Sequence, residues 1–98
     1  MIAKIHNKDK GYVLAVCDNE LLGKKFSEGD KQLDLTSDFY KGEDMTEDDV
    51  ADLMRNAEIV NIVGEKSVAL AIREEIATKE DVMLVEGVPH VEIIMLQE

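Results

Sequence analysis

The fold is decided by the stretch Ile59-Val60-Asn61-Ile62-Val63-Gly64-Glu65-Lys66-Ser67-Val68-Ala69-Leu70-Ala71-Ile72-Arg73-Glu74-Glu75-Ile76. Residues 58–63 are mostly apolar and rich in β-branched side chains, a pattern that predicts a buried strand. After a break at Gly64, apolar residues return at helical spacing from Glu65 to about Glu75, so we expect a helix there. Its apolar face carries Val68, Ala69, Ile72 and Ile76, with Ala71 beside them. With a further strand at 82–85, the stretch predicts a β-α-β unit.

The remaining elements are found by working outward from this unit. Toward the N-terminus we expect a hairpin of strands 2–6 and 12–17, a helical turn at 18–23 capped by Asp18, a strand at 32–36 and a helix from Thr46. Toward the C-terminus we expect a tight connection at 87–90 and a last strand at 91–96. Because each helix has one apolar face and several strands alternate, we predict an α+β fold. In detail this is a two-layer sandwich, a mixed β-sheet with two helices packed on one face.

Length and composition restrict the class of protein. The chain has 98 residues, of which 45% are hydrophobic and 34% are charged, with one Cys. This length predicts a single globular domain, residues 1–98. No apolar run is long enough to span a bilayer, and residues 1–6 lack the apolar stretch of a signal peptide. Because one cysteine cannot form an internal disulfide, we expect a soluble, cytoplasmic protein.

Acidic residues dominate the charge, and they are unevenly placed. The net charge is −11, and residues 26–58 carry eleven acids against three basic residues, a net of −8. Nucleic acid is a poor partner for such a chain, because its phosphates require a surplus of Lys and Arg. Two interpretations remain open for the acidic middle segment. It is a solvated face that keeps the protein soluble, or it is a docking surface for a basic protein.

The junction at Asn61–Ser67 is the most site-like feature of the sequence. The N-terminus of a helix after a strand offers free backbone N–H groups to an anion. Gly64 would permit close approach, Lys66 would add charge and Ser67 would add a hydroxyl group. However, the glycine spacing of the phosphate-binding loop is absent, and Glu65 would repel an anion. The alternative is that Gly64 only makes the turn from strand to helix.

Cys17-Asp18 and His90 are further candidates for chemistry. A thiolate near the start of a helical turn could be nucleophilic, and a pairing of Cys17 with His90 in space would supply a base. Pro89 would hold His90 exposed on a rigid loop as a proton donor or ligand. The alternatives are a buried structural cysteine and a surface histidine in a hairpin turn.

Two other segments have alternative explanations. Lys24-Lys25 beside Phe26 could grip a phosphate or an RNA backbone, or could be a solvated turn. Phe39-Tyr40 could anchor a partner or close the edge of the core, and with so few aromatics we favour the second. The acidic stretch Glu43–Asp52 does not match a calcium-binding loop. We predict no metal and no cofactor.

Several of these strings together resemble a family of short archaeal proteins of unknown function. The resemblance is carried by Cys17-Asp18, Leu21-Leu22-Gly23-Lys24, Phe26, Glu28-Gly29, Phe39-Tyr40, Gly42, Asn61, Val63-Gly64 and Gly87-Val88-Pro89-His90, in order along nearly the whole chain. It implies an archaeal, cytoplasmic, single-domain protein and slightly favours a role linked to translation. It implies no activity, cofactor or catalytic residue.

Three functions follow as hypotheses. The first is a non-catalytic binding module whose acidic helix face engages a basic protein. The second is a small enzyme or an anion- or ligand-binding protein that uses the Asn61–Ser67 junction with His90. The third is RNA binding through Lys4, Lys8, Lys10, Lys24 and Lys25. The candidate binding residues are Cys17, Asp18, Lys24, Asn61, Gly64, Lys66, Ser67 and His90. The oligomeric state stays open, because an edge strand at 91–96 could pair with its twin.

Overall fold

The computed structural model describes residues 1–95. The strands are β1 (Ile2–Lys8), β2 (Gly11–Cys17), β3 (Lys25–Glu28), β4 (Lys31–Asp34), β5 (Glu43–Asp44), β6 (Ile59–Val63), β7 (Met83–Val85) and β8 (Val88–Ile94). The α-helices are α1 (Glu47–Asn56) and α2 (Glu65–Arg73). Single turns of 3-10 helix lie at Asn19–Leu21, Asp38–Tyr40 and Lys79–Asp81.

Six strands form one mixed sheet in the order β5-β1-β2-β6-β8-β7. The hairpin of β1 and β2 is antiparallel, and β2 pairs with β6 in parallel. Strand β8 is antiparallel to both β6 and β7, so β7 runs in the same direction as β6 with β8 between them. The α+β class and the β6-α2-β7 unit are therefore confirmed.

Both helices pack on one face of this sheet. Leu14, Val60 and Ile62 of the sheet lie in one core with Met54 of α1 and Leu70 of α2, and each of them is at most 1% exposed. Thr46 caps α1, since its Oγ1 accepts a hydrogen bond from the N–H of Asp49 at 3.2 Å. This confirms the predicted start of that helix. Within residues 1–95, no helix has the length and apolarity needed to cross a membrane.

A two-stranded sheet of β3 and β4 covers part of the opposite face. Leu33 and Leu35 from this segment pack with Cys17, Val63 and Val85 in a second core. The sequence favours a solvated turn at Lys24-Lys25 beside Phe26 and a turn at Ser27-Glu28-Gly29-Asp30, but residues 25–28 form β3. The prediction missed β3 because its sequence, Lys25-Phe26-Ser27-Glu28, has one apolar residue and buries it only partly.

Two other predictions are wrong in detail. Val88, Pro89 and His90 do not form a connection, because β8 begins at Val88 and the turn is Glu86-Gly87. Ala69 does not face the core: it is exposed, whereas Ser67, Val68, Leu70 and Ala71 are buried. The nearly continuous apolar run 68–72 leaves the helical phase ambiguous in the sequence. Residue 96 of the predicted last strand lies outside the described residues.

Candidate functional site

The carboxylate of Asp18 closes the junction between β6 and α2. Asp18 follows β2 and is 4% exposed. Its Oδ1 accepts hydrogen bonds from the N–H and Oγ of Ser67 at 2.8 and 2.7 Å, and its Oδ2 accepts one from the N–H of Lys66 at 3.0 Å. A negative charge here is stabilised by the free N–H groups and the dipole of the helix. An external anion at this junction would therefore have to displace Asp18.

The side chain of Asp18 does not cap the turn that follows it, so that prediction is wrong. The bond that we expected locally is made instead with a helix 48 and 49 residues further along the chain. A carboxylate can accept from either N-terminus, and the longer-range one offers two N–H groups and a hydroxyl group. The close approach that Gly64 permits is used by the side chain of Asp18.

Gly64 is required by the position of Asp18. Its φ is +113°, a conformation that residues with a Cβ rarely adopt. A Cβ at this position would lie 2.3 Å from Cγ of Asp18 and 2.6 Å from both carboxylate oxygens. Gly64 therefore provides both the backbone conformation and the space that the buried carboxylate needs.

A cleft of about 430 Å³ lies beside the junction, which is a volume suited to a small ligand. Charged groups of both signs line it, with apolar groups between them: Asp18, Glu20, Glu47, Lys66, Leu70 and Arg73. Arg73 and Glu47 approach each other to 3.7 Å. We refer to this feature as the mixed-charge cleft. It contains Asp18 and Lys66 from the predicted set but neither Asn61 nor His90.

Cys17 is placed as a structural residue. Its side chain is completely buried, and burial together with the neighbouring charge of Asp18 raises its pKa to about 11. In the register of the sheet, Cys17 is opposite Val63, and Val63 is opposite His90. Two strand spacings of about 4.8 Å therefore separate Cys17 from His90, a backbone separation of about 10 Å. These two residues do not form a hydrogen-bonded nucleophile and base.

We predict that Cys17 reacts with a thiol reagent at pH 8 at least about 100-fold more slowly in the folded protein than in urea, because only the thiolate reacts and its population falls about tenfold per pKa unit. The rates are measured by absorbance with an aromatic disulfide. A Cys17→Ala, Ser37→Cys variant supplies the exposed-thiol control, which should react equally fast in both states. Similar rates for Cys17 folded and unfolded would show that the thiol is accessible.

Asn61 and His90 lie on the same face of the sheet as Cys17, opposite the helices. His90 is half-buried, and this burial, followed by the charge of Lys31, lowers its pKa. Asn61 is opposite Ala15 on one side and Glu92 on the other, one row away from the row of Val63 and His90. The structure therefore places Cys17, Asn61 and His90 on one face but in different rows, and separates them from Lys66 and Ser67 on α2.

The backbone of Lys24 makes two hydrogen bonds that hold the adjoining segments together. Its side chain is exposed, while its N–H donates to the carbonyl of Leu21 at 3.0 Å and its carbonyl accepts from the N–H of Leu35 at 2.9 Å. These bonds fix the entry to the β3–β4 hairpin.

The aromatic pair Phe39-Tyr40 packs inward. The ring of Phe39 stacks on His6 with centroids 4.5 Å apart, and Tyr40 meets Phe39 edge to face at 5.1 Å. Tyr40 also packs against the core that contains Cys17, and burial raises its pKa to about 12. The contacts favour closure of the core over an exposed anchor.

The acidic residues surround an open groove of about 560 Å³ between β5 and α1. Carboxylates and two apolar side chains line it: Glu43, Asp44, Met45, Asp49, Asp52 and Leu53. We refer to it as the acidic groove. The sequence located the acidic stretch but not the groove, because β5 is only two residues long and is too short to be identified from a pattern.

Some of these carboxylates have partners. Asp52 pairs with Arg55 at 2.7 Å, and Asp44 accepts a hydrogen bond from the nitrogen of Met1 at 2.8 Å. Within residues 1–95, Glu43 and Asp49 form no ion pair. The acidic groove therefore keeps uncompensated negative charge. In the same part of the chain, no group of three or more His, Cys, Asp or Glu side chains is arranged to hold a metal ion.

Comparison with known proteins agrees with the resemblance found in the sequence. The profile of a family described as "Protein of unknown function (DUF424)" matches residues 5–96. The chain belongs to this family. This DUF424 chain is similar to an uncharacterized conserved protein from Methanopyrus kandleri, whose crystal structure matches with 29% identity and a TM-score of 0.78, over 99% of this chain and 93% of the other. No curated protein matches. The structural match thus supports the fold, and the description of the family assigns no activity.

Proposed function

We propose that this protein is a non-catalytic, cytoplasmic binding module whose acidic groove receives a basic segment of a partner protein. The observation that carries the proposal is the groove itself, in which carboxylates surround Met45 and Leu53. Carboxylates on a rim attract Lys and Arg, while an apolar floor provides contact area that does not depend on salt. Methionine suits such a floor, because its flexible side chain adapts to different partners.

The charge of the whole molecule supports the same partner. A net charge of −11 produces a long-range field that accelerates encounters with basic proteins and disfavours nucleic acid. The partner segment should therefore combine Lys or Arg with apolar side chains. Basic ribosomal proteins have this chemistry, which keeps a link to translation within the proposal.

The surroundings of Cys17, the candidate nucleophile, argue against catalysis. Cys17 is buried with a raised pKa, and it lies about 10 Å from His90 across one strand. The second candidate function is ligand binding in the mixed-charge cleft, which its volume of about 430 Å³ favours. The two candidates use different residues, so one residue-resolved experiment separates them.

The experiment measures the binding of a fluorescein-labelled peptide in which Lys and Leu occur in equal number. The variant Glu43→Lys, Asp49→Lys reverses the two carboxylates without ion pairs, and Asp9→Lys, Asp30→Lys is the control with the same change in net charge. We expect the groove variant to bind about tenfold more weakly than the control, equivalent to about 1.4 kcal/mol. Affinity is measured by fluorescence anisotropy at 0.15 M salt, and the residues that contact the peptide are identified by chemical shifts of the ¹⁵N-labelled chain.

Two outcomes would overturn the proposal. Equal affinity of the groove variant and the control would show that net charge alone attracts the peptide. Peptide-induced chemical shift changes at Lys66 and Arg73, without changes at Asp49 and Leu53, would move the site to the mixed-charge cleft.

A further inference from the structure

One edge of the main sheet is only partly covered. Strand β7 has three residues, and its pairs with β8 are Met83 with His90, Leu84 with Pro89, and Val85 with Val88. Strand β8 continues for four residues beyond His90, to Ile94. In the described part of the chain, no strand lies beside this second half of β8 on the side away from β6. We refer to β7 and residues 91–94 of β8 as the open edge.

The direction of the backbone groups along β8 follows from two hydrogen bonds. The N–H of Met95 donates to the carbonyl of Glu58 at 2.9 Å, and the carbonyl of Pro89 accepts from the N–H of Gly64 at 2.8 Å. Odd-numbered residues of β8 therefore direct their polar backbone groups toward β6. Because these directions alternate along a strand, the N–H and C=O groups of Glu92 and Ile94 point toward the open edge.

Apolar side chains are concentrated at the same edge. Among residues 1–95, Ile5, Met83, Leu84 and Ile94 are the exposed large hydrophobic residues. Three of them lie on β7 and β8, with Leu84 54% exposed and Ile94 69% exposed. An edge strand with unpaired backbone groups and exposed apolar side chains is a template for another strand.

We infer that the open edge binds an extended, basic segment of a partner protein, which adds to β8 as a further strand. Backbone hydrogen bonds to Glu92 and Ile94 would align the segment, and alternate apolar side chains would cover Ile94 and Met83, which lie on the same face of the sheet. The occupant is basic because Glu92 lies on this edge, with Glu80 and Asp81 in the turn that leads into β7. This surface is separate from the acidic groove and does not depend on it.

A second copy of the chain fits the same edge poorly. Each copy carries a net charge of −11, so two copies repel each other. In an antiparallel pairing of β8 with itself, in which Glu92 lies opposite Ile94 of the other copy, the two Glu92 side chains become diagonal neighbours about 7–8 Å apart. The repulsion between the net charges and the repulsion between the two Glu92 side chains both favour a basic partner over self-association.

The test uses the uniformly ¹⁵N-labelled full chain and a peptide of alternating Lys and Val with blocked termini. Glu92→Pro removes the N–H that the added strand needs, and Glu92→Gln removes the same charge but keeps that N–H. Proline is tolerated there because this N–H is not used in pairing with β6. We expect peptide binding to Glu92→Pro to be about tenfold weaker than to Glu92→Gln, with protection of the Glu92 and Ile94 amides from exchange in the wild type.

Further variants keep this inference independent of the acidic groove. Ile94→Lys leaves the backbone intact and should weaken binding, whereas Ile5→Lys, the control at the other exposed isoleucine, should not. The variant Glu43→Lys, Asp49→Lys should leave the shifts at Glu92 and Ile94 unchanged. Equal binding by Glu92→Pro and Glu92→Gln would overturn the inference. Protection of the Glu92 amide without peptide, together with a dimer in sedimentation, would assign the edge to a second copy instead.

Discussion

Replacement of Asp18 by alanine should lower the free energy of unfolding by about 3–4 kcal/mol. The variant loses the cap of α2, which alone contributes about 1–2 kcal/mol. It also leaves the N–H and the hydroxyl group of Ser67 without their acceptor. Ser67 is completely buried, so water cannot take the place of the carboxylate unless the junction opens, and a buried unsatisfied group costs about 1–3 kcal/mol. Urea unfolding followed by circular dichroism measures the effect.

Two further variants separate the contacts of Asp18 from its charge. Asp18→Asn keeps the shape and one acceptor oxygen, but its amide group faces one of the N–H donors, so an intermediate loss is expected. Asp48→Ala removes an exposed carboxylate from the first turn of α1 and should cost less than about 1 kcal/mol. A loss for Asp18→Ala as small as that for Asp48→Ala would show that the carboxylate does not hold α2 in place.

The parts of the fold that depend on local pattern could be predicted from the sequence. Val50, Met54 and Ala57 recur at helical spacing and are buried, so this apolar stripe predicts α1 and its buried face, and Thr46 marks where the helix begins. The apolar runs located β2 and β6, since residues buried on both faces of a sheet form continuous apolar stretches. Two amphipathic helices among several strands were enough to predict the α+β class.

The elements that were missed are those whose burial is small or comes from distant parts of the chain. Strand β3 buries one aromatic side chain partly, and β5 is two exposed residues held by pairing with β1. The sequence places His90 in a loop because proline, here Pro89, is rare inside strands. The structure accommodates Pro89 in β8 because its carbonyl still accepts the N–H of Gly64, while its missing N–H costs one hydrogen bond.

The candidate site, like the fold, could be predicted from the sequence only in part. The sequence identified Asp18, Gly64 and Ser67 as unusual, because they stand where strands end and a helix begins. Only the three-dimensional fold shows that Asp18 accepts hydrogen bonds from Ser67. The negative charge at this helix N-terminus is supplied by the chain itself, at a sequence separation of 49 residues. Such a pairing leaves no periodic pattern, so it could not be predicted from the sequence.

Replacement of Gly64 by alanine should lower the free energy of unfolding by at least about 4 kcal/mol. Backbone strain at φ +113° contributes about 1–3 kcal/mol for any residue with a Cβ. The Cβ would also lie 2.3 Å from Cγ of Asp18, so the carboxylate would have to leave the end of α2. Gly29→Ala is the matched control, because φ there is +61° and nothing lies within 4 Å of the added Cβ. That variant should cost about 1 kcal/mol.

A double-mutant cycle tests whether the losses of stability in Asp18→Ala and Gly64→Ala share one cause. In the Asp18→Ala background the added Cβ at Gly64 meets no carboxylate, so Gly64→Ala should cost only its backbone strain there. The two single losses should therefore add to more than the loss of the double variant, by about 1–3 kcal/mol. Urea unfolding in the presence of sucrose keeps the weakest variant folded at the start of the titration. Strictly additive losses would show that the carboxylate of Asp18 does not lie against Gly64, because only direct contact makes the second substitution less damaging after the first.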